Sequence, residues 1–464
     1  MPVKRAEKTS MPQRTPDTRT KDFVEVNNGY AYAHAQFEAE RCLRCQTPVC
    51  VDGCPVNIPI PEFIHAIAIN DMPEASRLMR GANPLPAVCG RVCPQEAQCE
   101  KLCHMVKKFE SVAIGHLERY VADWERLQPM PAQKKPTHKE KIAVIGSGPS
   151  GLVCAGELAR LGYAVTIFEG LHAAGGVLRY GIPEFRLPKG ILDWEIEVIK
   201  RLGVEIQCNV IVGRTMKLDD LVNNMGFSAV FVGTGAGLPT FLGIPGENLM
   251  GVYSANEYLT RINLMRAYQF PESDTPLRVG ARVATIGAGN TAMDSARSSL
   301  RMGAKESWIV YRRTEKEMTA RVEEYHHAIE EGIVFNWLTN PIEILGDEKG
   351  WVKGLKCLKM KLGEPDASGR ARPIPIPGSE FTLEVNNVVL AIGNSPNPIL
   401  IKTTPGLDAN KHGCLIVNDE TKETSRKGVY AGGDAVTGAA TVILAAGAGK
   451  RAAESIHKVL SGGK

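Results

Sequence analysis

The pattern of apolar and polar positions repeats one arrangement twice, and each copy predicts a strand, a helix and a second strand. In the first copy, an apolar run at 142–145 precedes apolar residues at helical spacing over 152–161 and a second run at 165–168. The second copy begins at Arg282, has a helical pattern over 290–301 and ends in an apolar run over 308–311. Short apolar runs beside helical periods are typical of parallel strands that are buried on both faces.

Further patterns place these two units within a longer chain. Apolar runs at 229–232 and 387–392 predict two more buried strands, and helical patterns occupy 30–41, 60–69, 73–80 and 441–450. The proline-rich residues 124–140 predict a connection. The sequence therefore predicts an α/β fold with two Rossmann-like dinucleotide-binding domains after an N-terminal α-helical domain. We expect the helical domain at 1–138, one nucleotide domain split between 139–250 and 389–464, and the other inserted at 251–388.

Composition and charge exclude several classes of function. The chain has 464 residues and a formal net charge of +4, which favours neither nucleic acid nor a membrane surface as a partner. No apolar run has the length of a membrane-spanning helix, and the polar first residues lack the apolar segment of a secretory signal. We expect a cytoplasmic protein whose N-terminal arm is a solvated tail.

Both repeated units carry a glycine-rich turn between the first strand and the helix. The first turn reads G-x-G-x-x-G and the second G-x-G-x-x-A, the spacings of dinucleotide-binding sites. Such glycines allow a tight turn, close backbone approach to a pyrophosphate and close packing of the helix, whose free N–H groups face the phosphates. The residues expected to bind cofactor here are Gly146, Gly148 and Gly151 in the first turn, and Gly287, Gly289, Asn290 and Thr291 in the second.

The residues that end the second strand of each unit differ in charge. Glu169 ends the first unit, where a carboxylate binds ribose hydroxyls and repels a 2′-phosphate. Arg312 and Arg313 end the second unit, where arginine accommodates the extra phosphate of NADP. This contrast assigns FAD to the first unit and NADP(H) to the second. The glycine pair Gly175 and Gly176 predicts a loop pressed against the first cofactor.

Four further basic residues lie close in sequence to these predicted cofactor sites. We expect Arg186 and Lys189 to contact a phosphate or a partner, and Lys316 and Arg321 to add to the positive patch of the second site.

Cysteines are concentrated in the predicted helical domain. Eight of the twelve lie between Cys42 and Cys103, and the first four form C-x2-C-x4-C-x3-C-P. This spacing is close to that of ferredoxins, and thiolates suit the soft iron of an iron–sulfur cluster. Zinc, which favours two C-x2-C pairs, and plain thiols are the alternatives. Clustered cysteines in a cytosolic chain favour metal binding over disulfides.

Nearly the whole chain resembles the small (beta) subunit of glutamate synthase. The resemblance rests on the paired cysteine groups, on GSGPSG, on GGVLRYGIPEFRLPK, on GAGNTAMD with YRR, and on AGGDAVTGAATVI. It implies a glutathione-reductase-like arrangement, with the NADP domain inserted in the FAD domain. The N-terminal module also resembles the one shared with dihydropyrimidine dehydrogenase.

The resemblance also implies roles for individual residues. One [4Fe–4S] cluster takes Cys42, Cys45, Cys50 and Cys103. A second takes Cys54, Cys93, Cys99 and Glu118, the last residue of the motif IGHLE, which leaves Cys89 as a neighbour that binds no iron. Gly433 and Asp434 bind FAD, and the helix start at Thr441 and Val442 faces the flavin.

By this resemblance, a hydride passes from NADPH to FAD, and single electrons leave through the two clusters to a partner. No protein residue is then needed as a catalytic acid or base, and we name none. The partner is the large subunit of glutamate synthase. The alternative is a bifurcating NADH-dependent ferredoxin:NADP oxidoreductase, whose large subunit is similar and whose partner is a small flavoprotein. A disulfide reductase is a weaker interpretation, because no cysteine pair accompanies the flavin site.

Overall fold

The first third of the chain is helical in the computed structural model, which describes residues 6–366 and 369–462. Prolines in the first turn begin several of these helices, and the carboxylate of Asp71 caps one of them by accepting from the N–H of Glu74. Its helices are α1 Pro16–Arg19, α2 Tyr32–Ala39, α3 Val49–Asp52, α4 Ile60–Ala68, α5 Met72–Ala82, α6 Pro86–Val92 and α7 Ile114–Glu125.

The first nucleotide-binding unit forms a parallel five-stranded sheet of order β16-β4-β1-β2-β3. The edge strand β16 comes from near the end of the chain, so two segments that are distant in sequence build one sheet. The elements are β1 Lys141–Ile145, α8 Pro149–Arg160, β2 Ala164–Phe168, α9 Val177–Tyr180, α10 Lys189–Arg201, β3 Val204–Gln207, α11 Leu218–Asn223, β4 Phe227–Val232 and, after the insertion, α15 Ile399–Thr403, β16 Val429–Ala431, α16 Asp434–Thr437 and α17 Val442–Leu460.

The second unit forms another parallel five-stranded sheet, of order β6-β14-β7-β8-β9. It is built by β6 Val252–Ser254, α12 Ala255–Asn263, β7 Arg282–Ile286, α13 Asn290–Arg301, β8 Glu306–Val310, α14 Val322–Glu330, β9 Val334–Asn336 and β14 Asn387–Leu390. Helix α13 has the bounds that the apolar spacing predicted.

Two antiparallel sheets complete the fold. One pairs β10 Thr339–Gly346, β11 Val352–Pro365, β12 Ala371–Pro375 and β13 Phe381–Leu383 beside the second unit. The other pairs β5 Leu238–Pro239 with β15 Asn394–Ser395, where the chain leaves and re-enters the first unit. Among the described residues, no helix is both long and apolar enough to cross a bilayer.

Helix α17 is packed unusually closely on two neighbours. A Cβ at Gly449 would lie 2.2 Å from the carbonyl oxygen of Ser150, in the first turn of α8. A Cβ at Gly447 would lie 2.6 Å from the carbonyl oxygen of Pro55, in the cysteine-containing module. Buried apolar residues of the N-terminal helices, α8 and α17 form one continuous core. The helical module and the first nucleotide unit therefore fold against each other.

The expected solvated N-terminal tail is wrong for the described residues of the arm. Arg19 is 1% exposed. Its guanidinium donates to the carboxylate of Glu331 at 2.8 Å and to that of Glu330 at 2.7 Å. The backbone N–H of Val26 donates to the carbonyl of Phe185 at 3.0 Å. Polar residues can be buried when charged partners and backbone groups satisfy them, and the two glutamates that pair with Arg19 are 311 and 312 residues away.

We expect Gly449→Ala to lower the unfolding free energy by about 1–3 kcal/mol, because the added methyl group must push α17 away from α8. The measurement is the midpoint of thermal unfolding. The matched control is Gly190→Ala in α10, where no atom lies within 4 Å of an added Cβ. An equal loss in both variants would show that the close contact does not set the stability of this interface.

Candidate functional site

The first glycine turn has no room for a side chain at two of its glycines and is open at the third. A Cβ at Gly146 would lie 2.5 Å from the carbonyl oxygen of Gly233, and one at Gly151 would lie 2.0 Å from that of Gly146. At Gly148 the nearest atom would be 4.0 Å away. Gly148 also precedes α8 without a side-chain cap, so the first N–H groups of the helix have no partner from its side chain. The turn thus leaves a cradle that suits a phosphate.

Glu169 joins the first glycine turn to the loop between β2 and α9. Its Oε2 accepts from the N–H of Ser147 at 2.9 Å and from the Ser147 hydroxyl, and its Oε1 accepts from the N–H of Leu171 at 2.8 Å. The Ser147 hydroxyl oxygen in turn accepts from the N–H of Gly175 at 2.8 Å. A Cβ at Gly176 would lie 2.8 Å from the Cα of Gly148. The network fixes the carboxylate while its remaining lone pairs can accept from ribose hydroxyls.

The C-terminal glycine motif lies beside the same turn. A Cβ at Gly433 would lie 2.7 Å from the hydroxyl oxygen of Ser150 in α8. Asp434 accepts from the N–H of Ala440 at 3.1 Å, and burial raises its pKa to about 6. Thr441 caps α17 by accepting from the N–H of Leu444 at 3.4 Å. Val442 follows as the first residue of α17, so the structure brings together all the residues predicted for the first cofactor.

Tyr180 is a residue of this site to which the sequence assigned no role. It ends α9, and burial raises the pKa of its phenol to about 12, with smaller contributions from the charges of Asp434 and Glu169. The phenol therefore lies near both carboxylates. The feature of the sequence that could have indicated Tyr180 is its position four residues after the Gly175–Gly176 pair, which was expected to lie against the first cofactor.

The second glycine turn repeats the geometry of the first. Gly287 has a φ of 129°, and a Cβ there would lie 2.3 Å from the carbonyl oxygen of Ala391. Gly289 precedes α13 without a side-chain cap. Asn290 accepts from the N–H of Arg321 at 2.9 Å, which ties the turn to the next loop, while Thr291 is exposed. A second uncapped helix start is thus available to a phosphate.

The two arginines that follow β8 have different environments. Arg313 is buried, and it donates to Asp366 at 2.6 Å and to the carbonyl of Ala371 at 2.8 Å, which anchors the β11–β12 hairpin. Arg312 is exposed and makes no hydrogen bond or ion pair with the described residues. Lys316 is also exposed. Arg312 is therefore the arginine whose side chain is available to a ligand.

Three of the other basic residues are engaged within the protein. Arg186 and Lys189 were expected to contact a phosphate or a partner, and Arg321 to add to the positive patch of the second site, but contacts inside the chain hold all three. Arg186 donates to both carboxylate oxygens of Asp294 on α13, at 2.9 and 2.8 Å. The ammonium of Lys189 donates to two backbone carbonyls at 2.7 and 2.8 Å. Arg321 donates to the carbonyl of Arg91 at 2.6 Å. Arg186 joins the two nucleotide units and Arg321 joins the second unit to the helical module, whereas the partners of Lys189 lie within the first unit.

The first group of cysteines lines one apolar cavity. Cys42, Cys45, Cys50 and Cys103 face it together with side chains such as Ile60. Burial raises the pKa of Cys50 to about 12, and the neighbouring thiols of Cys103, Cys42 and Cys45 raise it further. Four soft donors in one apolar cavity fit an iron–sulfur cluster.

The second group lies deeper. Cys54, Cys93, Cys99 and Glu118 are each less than 9% exposed. Burial raises the pKa of Cys54 to about 11, and the charge of Glu118 contributes. The pKa of Cys99 is raised by burial and also by the charges of Cys54 and Glu118. Burial raises the pKa of Glu118 to about 8, with a smaller contribution from the charge of Glu195, although Asn83 donates to it at 3.3 Å.

These environments sort the cysteines into two sets. Cys89 is a close neighbour of Cys93, since a hydrogen bond between the two side chains is the largest cause of the raised Cys93 pKa. Within the described ranges, no three His, Cys, Asp or Glu side chains converge on a single-ion site. A four-iron cluster holds its ligands farther apart than one ion does, and the soft thiols of the cysteines fit such a group.

Comparison with known proteins gives the family. Residues 19–130 match the model "dihydropyrimidine dehydrogenase domain II, 4Fe-4S cluster", and residues 140–450 match "pyridine nucleotide-disulphide oxidoreductase". The chain is 36% identical over 452 residues to the glutamate synthase [NADPH] small chain of Halomonas elongata, with 96% of this chain and 95% of that protein covered. The chain belongs to the glutamate synthase small-chain family. Its Escherichia coli member is also 36% identical, over 457 residues.

Membership in the glutamate synthase small-chain family confirms the predicted resemblance, the oxidoreductase class and the iron–sulfur character of the helical module. The NADP(+)-dependent formate dehydrogenase subunit beta of Moorella thermoacetica is 40% identical over 442 residues, with 90% of this chain and 60% of that protein covered. FprA of Mycobacterium tuberculosis, solved with NADPH, has a TM-score of 0.59 at 22% identity, with 70% of this chain and 85% of that chain covered. This likeness confirms the predicted fold of two nucleotide-binding units.

Proposed function

We propose that this chain is an NADPH-dependent electron-transfer subunit, which takes electrons from NADPH and delivers them singly to a larger partner, as in glutamate synthase. When bound, FAD converts a hydride into single electrons, and iron–sulfur clusters conduct them. The observation that carries the proposal is the double contact of α17. This helix begins beside Asp434, and Gly447 lies against Pro55, the residue after Cys54. The predicted flavin site and the cysteines thus share one packed helix.

The chain's own residues position the two nucleotides. The cradle at Gly148 and the fixed carboxylate of Glu169 suit the FAD pyrophosphate and ribose. The uncapped start of α13 suits the NADPH pyrophosphate, and Arg312 is free to bind the 2′-phosphate. Arg313 supports this site indirectly by anchoring the β11–β12 hairpin beside it. No side chain is assigned a proton-transfer role.

The two sets of cysteines support two [4Fe–4S] clusters. We assign one cluster to Cys42, Cys45, Cys50 and Cys103, and the other to Cys54, Cys93, Cys99 and Glu118. The observation that supports this division is that the four cysteines of the first set line one cavity, whereas Cys54, Cys93, Cys99 and Glu118 are buried away from it. A carboxylate ligand is harder than a thiolate and shifts the cluster potential.

The names of the relatives support a partner. They are designated small chain and subunit beta, which implies a subunit that works with a larger one. We favour the glutamate synthase large subunit, because the matches to small chains cover nearly the whole of both proteins. No comparison gives better support to the bifurcating alternative with a small flavoprotein partner. The chain has twelve cysteines and no disulfide among its described residues, which suits a reducing compartment such as the cytoplasm.

The nucleotide preference tests the first part of the proposal. Purified protein is mixed anaerobically with NADPH or NADH, and bleaching of the flavin absorbance is followed. We expect faster bleaching with NADPH. Arg312→Ala should raise the concentration of NADPH needed for half-maximal rate by about tenfold or more, because the 2′-phosphate loses a charged hydrogen bond. The corresponding concentration of NADH should not change.

Arg313→Ala is the matched comparison for this test. Because Asp366 holds the Arg313 guanidinium, we expect Arg313→Ala to lower the midpoint of thermal unfolding. Its effect on the preference for NADPH over NADH should be smaller than that of Arg312→Ala. Equal bleaching rates with NADPH and NADH in the unaltered protein would refute the assignment of NADP(H) to the second unit.

Replacement of Glu118 tests the ligand assignment. We expect Glu118→Gln to change the electron paramagnetic resonance (EPR) signal of one reduced cluster and spare the other, because an amide is a poorer iron ligand than a carboxylate. Glu62→Gln on α4 is the control, since Glu62 is exposed and belongs to neither set. Unchanged spectra and iron content in Glu118→Gln would remove this residue from the ligands.

A further inference from the structure

An exposed apolar patch surrounds the first cysteine set. Leu43, Leu102, Val106 and Phe109 are between 41% and 48% exposed. Leu43 and Leu102 are sequence neighbours of Cys42 and Cys103, and residues of both segments line the same cavity. We call residues 43–47 and 101–109 the rim surface. Large apolar side chains grouped at the surface are typical of protein interaction sites.

The charge of the rim surface has one sign. Arg44, Lys101, Lys107 and Lys108 are exposed, and none of them forms an ion pair within 6–366 and 369–462. Neither segment contains an aspartate or glutamate. Of the two glutamates that flank residues 101–109, Glu100 is buried and paired with Lys8 at 2.7 Å, and the exposed Glu110 accepts from the backbone N–H of Lys8 at 2.6 Å. One exposed carboxylate therefore borders four exposed basic side chains, and the surface stays positive. An apolar centre with unpaired basic residues around it is complementary to an acidic partner.

We propose that the rim surface docks an acidic electron-accepting protein, whose own apolar contact is bordered by aspartate and glutamate side chains. The inference rests on the proposed function, because it identifies the surface through which electrons leave. The rim surface covers the more exposed of the two cysteine sets, whereas the second set is fully enclosed. A second copy of this chain is a poor occupant, because two rim surfaces would bring like charges together.

The test compares two high-potential acceptors of opposite charge. Plastocyanin is a small acidic copper protein, and cytochrome c is a small basic haem protein. Each NADPH that is oxidised releases one proton and reduces two copper(II) or two iron(III) centres by one electron each. The uncharged quinone menadione, which takes both electrons and needs no docking surface, measures the activity that is independent of docking.

The variant to compare is Lys107→Glu with Lys108→Glu. We expect the unaltered protein to reduce plastocyanin at a rate that falls as salt is added. In the variant, the plastocyanin rate should fall by roughly tenfold and the cytochrome c rate should rise, while the menadione rate and the cluster EPR signals stay the same. Arg44→Glu, on the other segment, should act in the same direction.

The matched control is Lys134→Glu with Lys135→Glu, another exposed pair of adjacent lysines, in the connection before β1. An equal effect of the control pair would overturn the proposal, and so would unchanged plastocyanin and cytochrome c rates in the rim variants. A change of molecular mass in solution, from dimer to monomer in the rim variants, would assign the surface to self-association and also overturn it. If NADPH bleaches no flavin, the proposed function fails, and this inference fails with it.

Discussion

The contact between Gly447 and the carbonyl oxygen of Pro55 is the constraint on which the redox arrangement depends. Any larger residue at this position would separate α17 from the turn after Cys54. Two residues further on, Gly449 allows the same helix to approach the first turn of α8. One helix therefore holds a fixed position relative to the first glycine turn and to a cysteine of the second set. Lys450 strengthens the junction by donating to the carbonyls of Val56 and Ala82.

A second constraint joins the other nucleotide unit to this centre. Arg186 of the first unit pairs with Asp294 on α13, the helix that begins at the second glycine turn. Arg297 on the same helix pairs with Glu331, which also receives Arg19 of the N-terminal arm. Buried charges of this kind are costly when one partner is removed. They restrict the orientation of the second unit, and through it the approach of a bound nicotinamide to the flavin site.

Local sequence patterns predicted the elements well because local physics determines them. The apolar spacing gave α13 with its observed bounds, and the glycine turns of both units are built as their spacing predicts. Glu169 lies in the first cradle, where the end of a strand in such a unit must lie. The division of the cysteines came from the resemblance, since spacing alone left zinc and plain thiols open.

Long-range pairing could not be predicted from one sequence. Arg186 and Arg321 look like phosphate ligands because basic residues near a nucleotide site usually are, and their partners lie 108 and 230 residues away. The arm around Arg19 looks solvated in the sequence because its partner Glu331 is also distant along the chain. Of the two adjacent arginines after β8, only the structure shows that Arg313 pairs with Asp366 and that Arg312 is exposed, with no ion pair to any residue that the structure describes.

The proposed function requires that electrons from NADPH pass through this chain from a flavin to iron–sulfur clusters. The most direct measurement is an anaerobic titration of the purified protein with NADPH, followed by visible absorbance and low-temperature EPR on the same samples. We expect the flavin absorbance to bleach and signals of reduced [4Fe–4S] clusters to grow as NADPH is added. Complete bleaching of the flavin with clusters that contain iron but stay oxidised would contradict the account.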